Sequence, residues 1–108
     1  MITVDDLSKI EVRVGTVLSA EHVPDTEKLL RLMVDVGEEA PRQIVSGIAL
    51  YVENPELLIG KQLAFVTNLE PRVIRGLESN GMLFAVGEGE SFGFLVPHRP
   101  VPPGTRAH

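Results

Sequence analysis

The sequence predicts an all-β domain built as a small barrel. Three observations point there. Apolar residues alternate with polar ones at a period of two over much of the chain. The alternating runs are short and are separated by Gly, Pro, Asn and Asp every dozen or so residues. Helical signals are confined to one short stretch near the start and one in the middle of the chain.

Thr3 followed by Asp6 resembles a loose capping box, so Val4 to Lys9 reads as a helical turn anchored by Leu7 and Ile10. The period then changes to two. Val12, Val14, Thr16, Leu18 and Ala20 share one face of a long first strand, with Glu11, Arg13, Gly15, Val17 and Ser19 on the other. Gly15 suggests a bulge or sharp bend, which lets one strand serve both sides of a small barrel. His22 to Lys28 is a loop. Leu30, Leu32, Val34 and Val36 alternate with Arg31, Met33 and Asp35 as a second strand, Gly37 to Pro41 turns, and Arg42 to Ser46 is a third strand ended by Gly47. A helical turn is expected near Pro55 to Leu58, a fourth strand over Gln62 to Thr67, and a fifth over Met82 to Val86. Phe92 to Val96 is a late extended segment before a proline-rich tail, Pro100 to Pro103. Five strands, a bent first strand and a helical insert between the third and fourth match an OB-fold. The expected organisation is a single domain of 108 residues, with the barrel at about 8–87 and a C-terminal extension at about 88–108.

Composition narrows the function. With no Cys, disulfides, thiolate zinc sites and cysteine nucleophiles are excluded, which fits a reducing compartment. Met1 to Asp6 lacks the basic and long apolar runs of a signal peptide, and no apolar segment is long enough to span a bilayer. The expected setting is the cytoplasm. His22, His98 and His108 are scattered, with no Ser, Asp or Glu at a telling spacing and no metal-binding or phosphate-binding motif. The expectation is therefore a non-enzyme with no cofactor and no metal. The net charge of −5 argues against tight, non-specific nucleic-acid binding. The charge is uneven, however: Lys61 to Arg75 contains Arg72 and Arg75 and a single acid, Glu70. A net-acidic protein can carry a local cationic face.

Four stretches, in order, make the chain recognisable: Val12-Arg13-Val14-Gly15; Pro24-Asp25 with Glu27-Lys28-Leu29; Ile44-Val45-Ser46-Gly47-Ile48; and Asn68-Leu69-Glu70-Pro71, Arg75-Gly76 and Ser79-Asn80-Gly81-Met82. Together they resemble the tRNA-binding domain family found at the C-terminus of many bacterial methionyl-tRNA synthetases and in free-standing dimeric proteins. The resemblance runs from about Leu7 to Gly104. It implies tRNA as the partner, with Lys28, Asn68, Ser79 and Met82 on or beside the binding face. The residues themselves add Arg42, which heads the third strand, and Arg72 and Arg75. Glu70 and Val73 stand where the family often has lysine, which lowers the expected affinity.

Each candidate also has an ordinary structural reading. Met82 after Gly81 suits the core. Asn68 suits a bond to its own turn, and Ser79 a cap on the next segment. Lys28 and Arg42 suit solvated surface positions. Aromatic residues are few, Tyr51 and four Phe with no Trp, so base stacking on aromatic platforms is poorly supplied. Recognition of a folded RNA by shape and backbone fits better.

Two rival functions come from other classes. A sister branch of the family consists of export-related chaperones that bind peptide in a dimer groove; Gly81-Met82 favours tRNA over that role. A protein-docking subunit that brings a synthetase to tRNA is the third reading. Free-standing relatives are homodimers, and the apolar Phe92 to Val96 with the tail after it is the segment expected to pair two copies.

Overall fold

In the computed structural model, which describes every residue from Met1 to His108, a short helix α1 (Val4–Leu7) precedes ten strands. The capping box expected at its start is present: Thr3 Oγ1 accepts from the Asp6 N–H at 3.1 Å, and the Asp6 carboxylate accepts from the Thr3 N–H at 3.2 Å. Leu7 and Ile10 do not anchor it. They are 58% and 47% exposed, because a helix this short buries no face of its own. The turn is held through its backbone instead, as the Arg106 guanidinium donates to the carbonyl oxygens of Ser8 and Ile10.

β1 (Val12–His22) is the spine of the barrel, antiparallel to β2 (Leu30–Asp35) along its later half and to β4 (Gln62–Val66) along its earlier half. Val17 and Ala20, read from the alternation as lying on opposite faces, are both buried. Gly15, Val17 and Ala20 point into the core, while Leu18 is 45% exposed. The register slips between Val17 and Ser19, so one extra residue resets the alternation. The bulge therefore lies beyond Gly15. Gly15 serves a different end: a Cβ there would stand 2.5 Å from Val34 Cγ1 and 2.9 Å from the Phe65 ring. Its missing side chain lets β1 cross directly over the core.

β2 and β3 (Arg42–Ser46) follow the expected pattern. Leu30, Leu32, Val34 and Ile44 are fully buried and pack with Val17, Leu63 and Phe65. Burying each such side chain is worth about 1.5–3 kcal/mol. The helical insert is present as a 3₁₀ turn at Pro55–Leu58, capped by Asn54 Oδ1 accepting from the Glu56 N–H. Pro55 and Leu58 are its buried residues, and Leu58 joins the core.

The chain after β4 departs from expectation. Arg72 to Ser79 forms a two-stranded hairpin of β5 (Arg72–Ile74) and β6 (Leu77–Ser79). The expected fifth strand is split: β7 (Met82–Leu83) pairs with β4, and β8 (Ala85–Val86) pairs with β9 (Gly93–Phe94). The order β3-β2-β1-β4-β7 makes a nearly closed antiparallel barrel of five strands, the OB-like architecture expected. The seam between β3 and β7 is bridged by the Asn80 N–H donating to the Gln43 carbonyl at 2.8 Å.

The C-terminal extension folds back on this same barrel. Phe92 stacks on Tyr51 with ring centres 4.1 Å apart, meets Phe94 edge-on, and both phenylalanines pack against the core. The tail ends as β10 (Arg106–Ala107), paired with Val12 and Arg13 of β1. No helix is long and apolar enough to cross a membrane.

Candidate nucleic-acid interface

The seven candidate residues fall into two groups. Three are bound into the scaffold. Ser79 is 2% exposed, and its hydroxyl accepts from the Val45 N–H at 3.0 Å while donating to the Gly81 carbonyl at 3.1 Å. It fastens β6 to β3, and its oxygen is hidden from any large ligand. Asn68 bonds not its own turn but the distant N-terminal segment: Oδ1 accepts from the Glu11 N–H at 2.8 Å, and Nδ2 donates to the Lys9 carbonyl at 2.7 Å.

Arg42 is the third. Its guanidinium grips the Glu38 carboxylate bidentately at 2.8 Å on both arms and donates to the carbonyls of Thr67 and Asn80 at 2.6 and 3.3 Å. This fork ties the β2–β3 turn to both ends of the segment that carries the hairpin. Hydrogen bonding from Arg42 holds the Glu38 carboxyl below the usual carboxylate range, and the same bond raises Arg42, with partial burial opposing it. Glu11 is held low as well, first by Arg13 and then by Thr67, beside the Asn68 clamp.

The other four are exposed, as Asn68 is, but their side chains make no hydrogen bond. Lys28 lies in the β1–β2 loop, where its carbonyl accepts from the Ala49 N–H. That is the Ser46 end of β3, so it is not brought beside Arg42. Met82 is 40% exposed on β7, so it is not simply core. Arg72 and Arg75 sit on the hairpin, and neither has a carboxylate within ion-pair distance. Arg75 and Gly76 form the two-residue turn with φ of 51° and 81°. Two positive φ values are those of a type I′ turn, whose twist matches the flanking strands. Glycine takes that conformation freely, whereas arginine pays for it.

A ladder of polar side chains, invisible in the sequence, holds the hairpin on the barrel face. Glu21 accepts from Arg31 at 2.6 Å, Arg31 donates to Gln43 at 2.6 Å, and Gln43 donates to the Glu78 carbonyl at 2.8 Å. These residues come from four strands, and only the register aligns them. Beside the ladder lies an open cleft between the hairpin and the β2–β3 turn, lined by Met33, Pro41, Leu69, Pro71 and the carboxylates of Glu38 and Glu78. No three His, Asp or Glu side chains converge in a way that would hold a metal ion.

Comparison with known proteins bears on this arrangement. The family model described as "Putative tRNA binding domain" matches residues 12–106. A methionine–tRNA ligase of Methanocorpusculum labreanum is 56% identical over 108 residues, covering 100% of this chain; the chain spans only 16% of that ligase. The crystal structure of a MetRS-related protein from Pyrococcus horikoshii superposes with a TM-score of 0.90 at 38% identity, covering 100% of this chain and 98% of that one. The chaperone CsaA from Bacillus anthracis superposes with a TM-score of 0.86 at 32% identity, covering 100% and 99%. Both the synthetase-related and the chaperone branches share the barrel. The chain belongs to the tRNA-binding domain family.

Proposed function

We propose that this domain binds tRNA without catalysing a reaction, and that it presents the RNA to a methionyl-tRNA synthetase. The observation that carries the reading is the hairpin: Arg72 and Arg75 stand free of carboxylates on a ribbon fixed to the barrel face. Guanidinium groups suit phosphate contacts, and a rigid mount spares the ordering cost of binding. Met82 gives an adaptable apolar surface beside the hairpin base, and Lys28 a further cation on its loop. Asn68, Ser79 and Arg42 position this surface through their hydrogen bonds. The two hairpin arginines on an acidic protein support modest affinity and recognition of RNA shape and backbone.

The domain works as a homodimer in this reading. Phe92 and Phe94 are engaged in their own barrel, so the pairing surface moves to the N-terminal segment. Met1, Ile2, Val4, Leu7 and Ile10 are all exposed there, and Arg106 ties that segment to β10. An apolar patch next to a strand edge is a surface that asks for cover.

A second reading, a peptide-binding chaperone, draws support from the 32% identity to CsaA. One titration separates the two. Labelled tRNA at low salt is mixed with the protein in the presence of excess unfolded polypeptide. Binding that resists the competitor supports the tRNA reading. Absence of tRNA binding, with capture of the polypeptide, refutes it.

A further inference from the structure

A second cationic site lies away from the hairpin. The C-terminal extension crosses the barrel as a strap pinned at two points. The Ala64 N–H donates to the Leu95 carbonyl at 3.1 Å, and Gln62 takes Val101 from both sides: Nε2 donates to its carbonyl at 2.6 Å and Oε1 accepts from its N–H at 3.0 Å. Gln62 is itself steadied by Thr16 Oγ1 at 3.1 Å. Between the pins the strap bows outward through Val96-Pro97-His98-Arg99-Pro100, stiffened by two prolines that fix their own φ.

The bow and the Pro55–Leu58 turn enclose a groove. Leu58, Leu63 and Phe94 contribute its apolar part, Lys61 stands on the turn side, and His98 and Arg99 on the strap side. No carboxylate lines it, although Asp and Glu number 15 in the chain against 10 Lys and Arg. Neither Lys61 nor Arg99 has an ion-pair partner. Of the ten Lys and Arg, four are in ion pairs and Arg106 is spent on the carbonyls of Ser8 and Ile10. The free cations are then Lys28, the hairpin pair Arg72 and Arg75, and this groove pair. In an acidic protein, two cations kept together, unpaired and on a braced backbone focus positive potential locally.

We propose that the groove between the Pro55–Leu58 turn and the Leu95–Val101 strap is a second phosphate-contact site for RNA, with Lys61 and Arg99 on the backbone and His98 as a further donor. The two cationic sites lie at opposite ends of β4, since Lys61 precedes Gln62 and the hairpin follows Val66. A five-residue strand is about 16 Å long, so the ligand that uses both is an extended polyanion, and a single small anion does not bridge them. This inference rests on the proposed tRNA-binding function.

The test is a salt titration of tRNA binding by the full chain, comparing wild type with a Lys61→Gln/Arg99→Gln variant and with Lys9→Gln as a control outside the groove. Each lost phosphate contact lowers the slope of log affinity against log salt by about one. The expected result is a slope lower by about two for the groove variant, no change for Lys9→Gln, and recovery in Lys61→Arg/Arg99→Lys, all with unchanged melting temperature. A groove variant that binds with the wild-type slope overturns the site while leaving the tRNA function intact. Failure of the wild type to bind tRNA at low salt overturns the function and the groove with it.

Discussion

The Ser79 hydroxyl accepts the Val45 N–H at 3.0 Å, and this bond joins the cationic hairpin to the third strand of the barrel. It lies in the interior, where an unpaired donor costs about 1–3 kcal/mol. Ser79→Ala is therefore expected to destabilise the domain by about that amount in a denaturant titration. Ser79→Cys, which keeps a weak acceptor, is expected to cost less. Affinity for RNA falls in Ser79→Ala only as far as the hairpin loosens. A full loss of binding at unchanged stability would make Ser79 a direct contact and contradict its burial.

Asn68 holds the N-terminal segment from a distance, through the Glu11 N–H and the Lys9 carbonyl. Asn68→Ala removes both bonds, with an expected cost of about 1–2 kcal/mol for two partly exposed interactions. Amide hydrogen exchange reads this directly: the Glu11 N–H is expected to lose protection in the variant while Leu32 and Val34, deep in β2, keep theirs.

Arg75 sits at a positive φ that arginine adopts at a cost of about 1 kcal/mol. Arg75→Asn, followed by Gly76, gives the preferred type I′ pair. The variant is expected to hold or gain up to about 1 kcal/mol of stability by thermal melting while binding tRNA more weakly. Stability and binding moving in opposite directions marks a residue kept for its charge. A variant that loses stability and keeps its affinity would contradict that role.

Glu38 and Glu11 both have carboxyl pKa values depressed in the fold, chiefly by hydrogen bonds from Arg42 and Arg13. A depressed carboxyl contributes stability that is fully present above its unfolded pKa, near 4.5, and is lost as pH falls through the folded value. Stability is thus expected to be flat from neutral pH down to about 5 and to decline below that. Glu38→Gln is expected to make the decline shallower. The Glu38 side chain is 48% exposed, so solvent screening keeps its share below about 1 kcal/mol. An acid limb identical in the variant would show that the Arg42 fork adds nothing.

How much of this was legible in the sequence depended on whether the determining contacts were local. β2 could be read because Leu30, Leu32 and Val34 recur at every second residue, and β3 because Ile44 and Val45 form a short apolar run closed by Gly47. β1 reads as a strand, but one alternation cannot be carried along its whole length, because a bulge between Val17 and Ser19 shifts the phase and leaves no mark in residue type. The hairpin was hidden for two reasons. Its strands have three residues each, too few to show a period, and its turn is Arg-Gly where Asn-Gly would have announced it. Roles at the site were harder still. Asn68 finds partners 57 and 59 positions away, and the fork of Arg42 closes on Thr67 and Asn80, contacts that only the fold brings together.

The central claim is that the hairpin arginines contact RNA backbone. The most direct measurement is the salt dependence of equilibrium tRNA binding for wild type and for Arg72→Ala/Arg75→Ala, with melting temperatures recorded alongside. Substitutions at two exposed positions are expected to leave stability within about 0.5 kcal/mol. The account predicts an affinity that falls with salt in the wild type and a slope smaller by about two in the variant. A variant with wild-type slope and affinity, or a wild type that binds no tRNA at low salt, would contradict it.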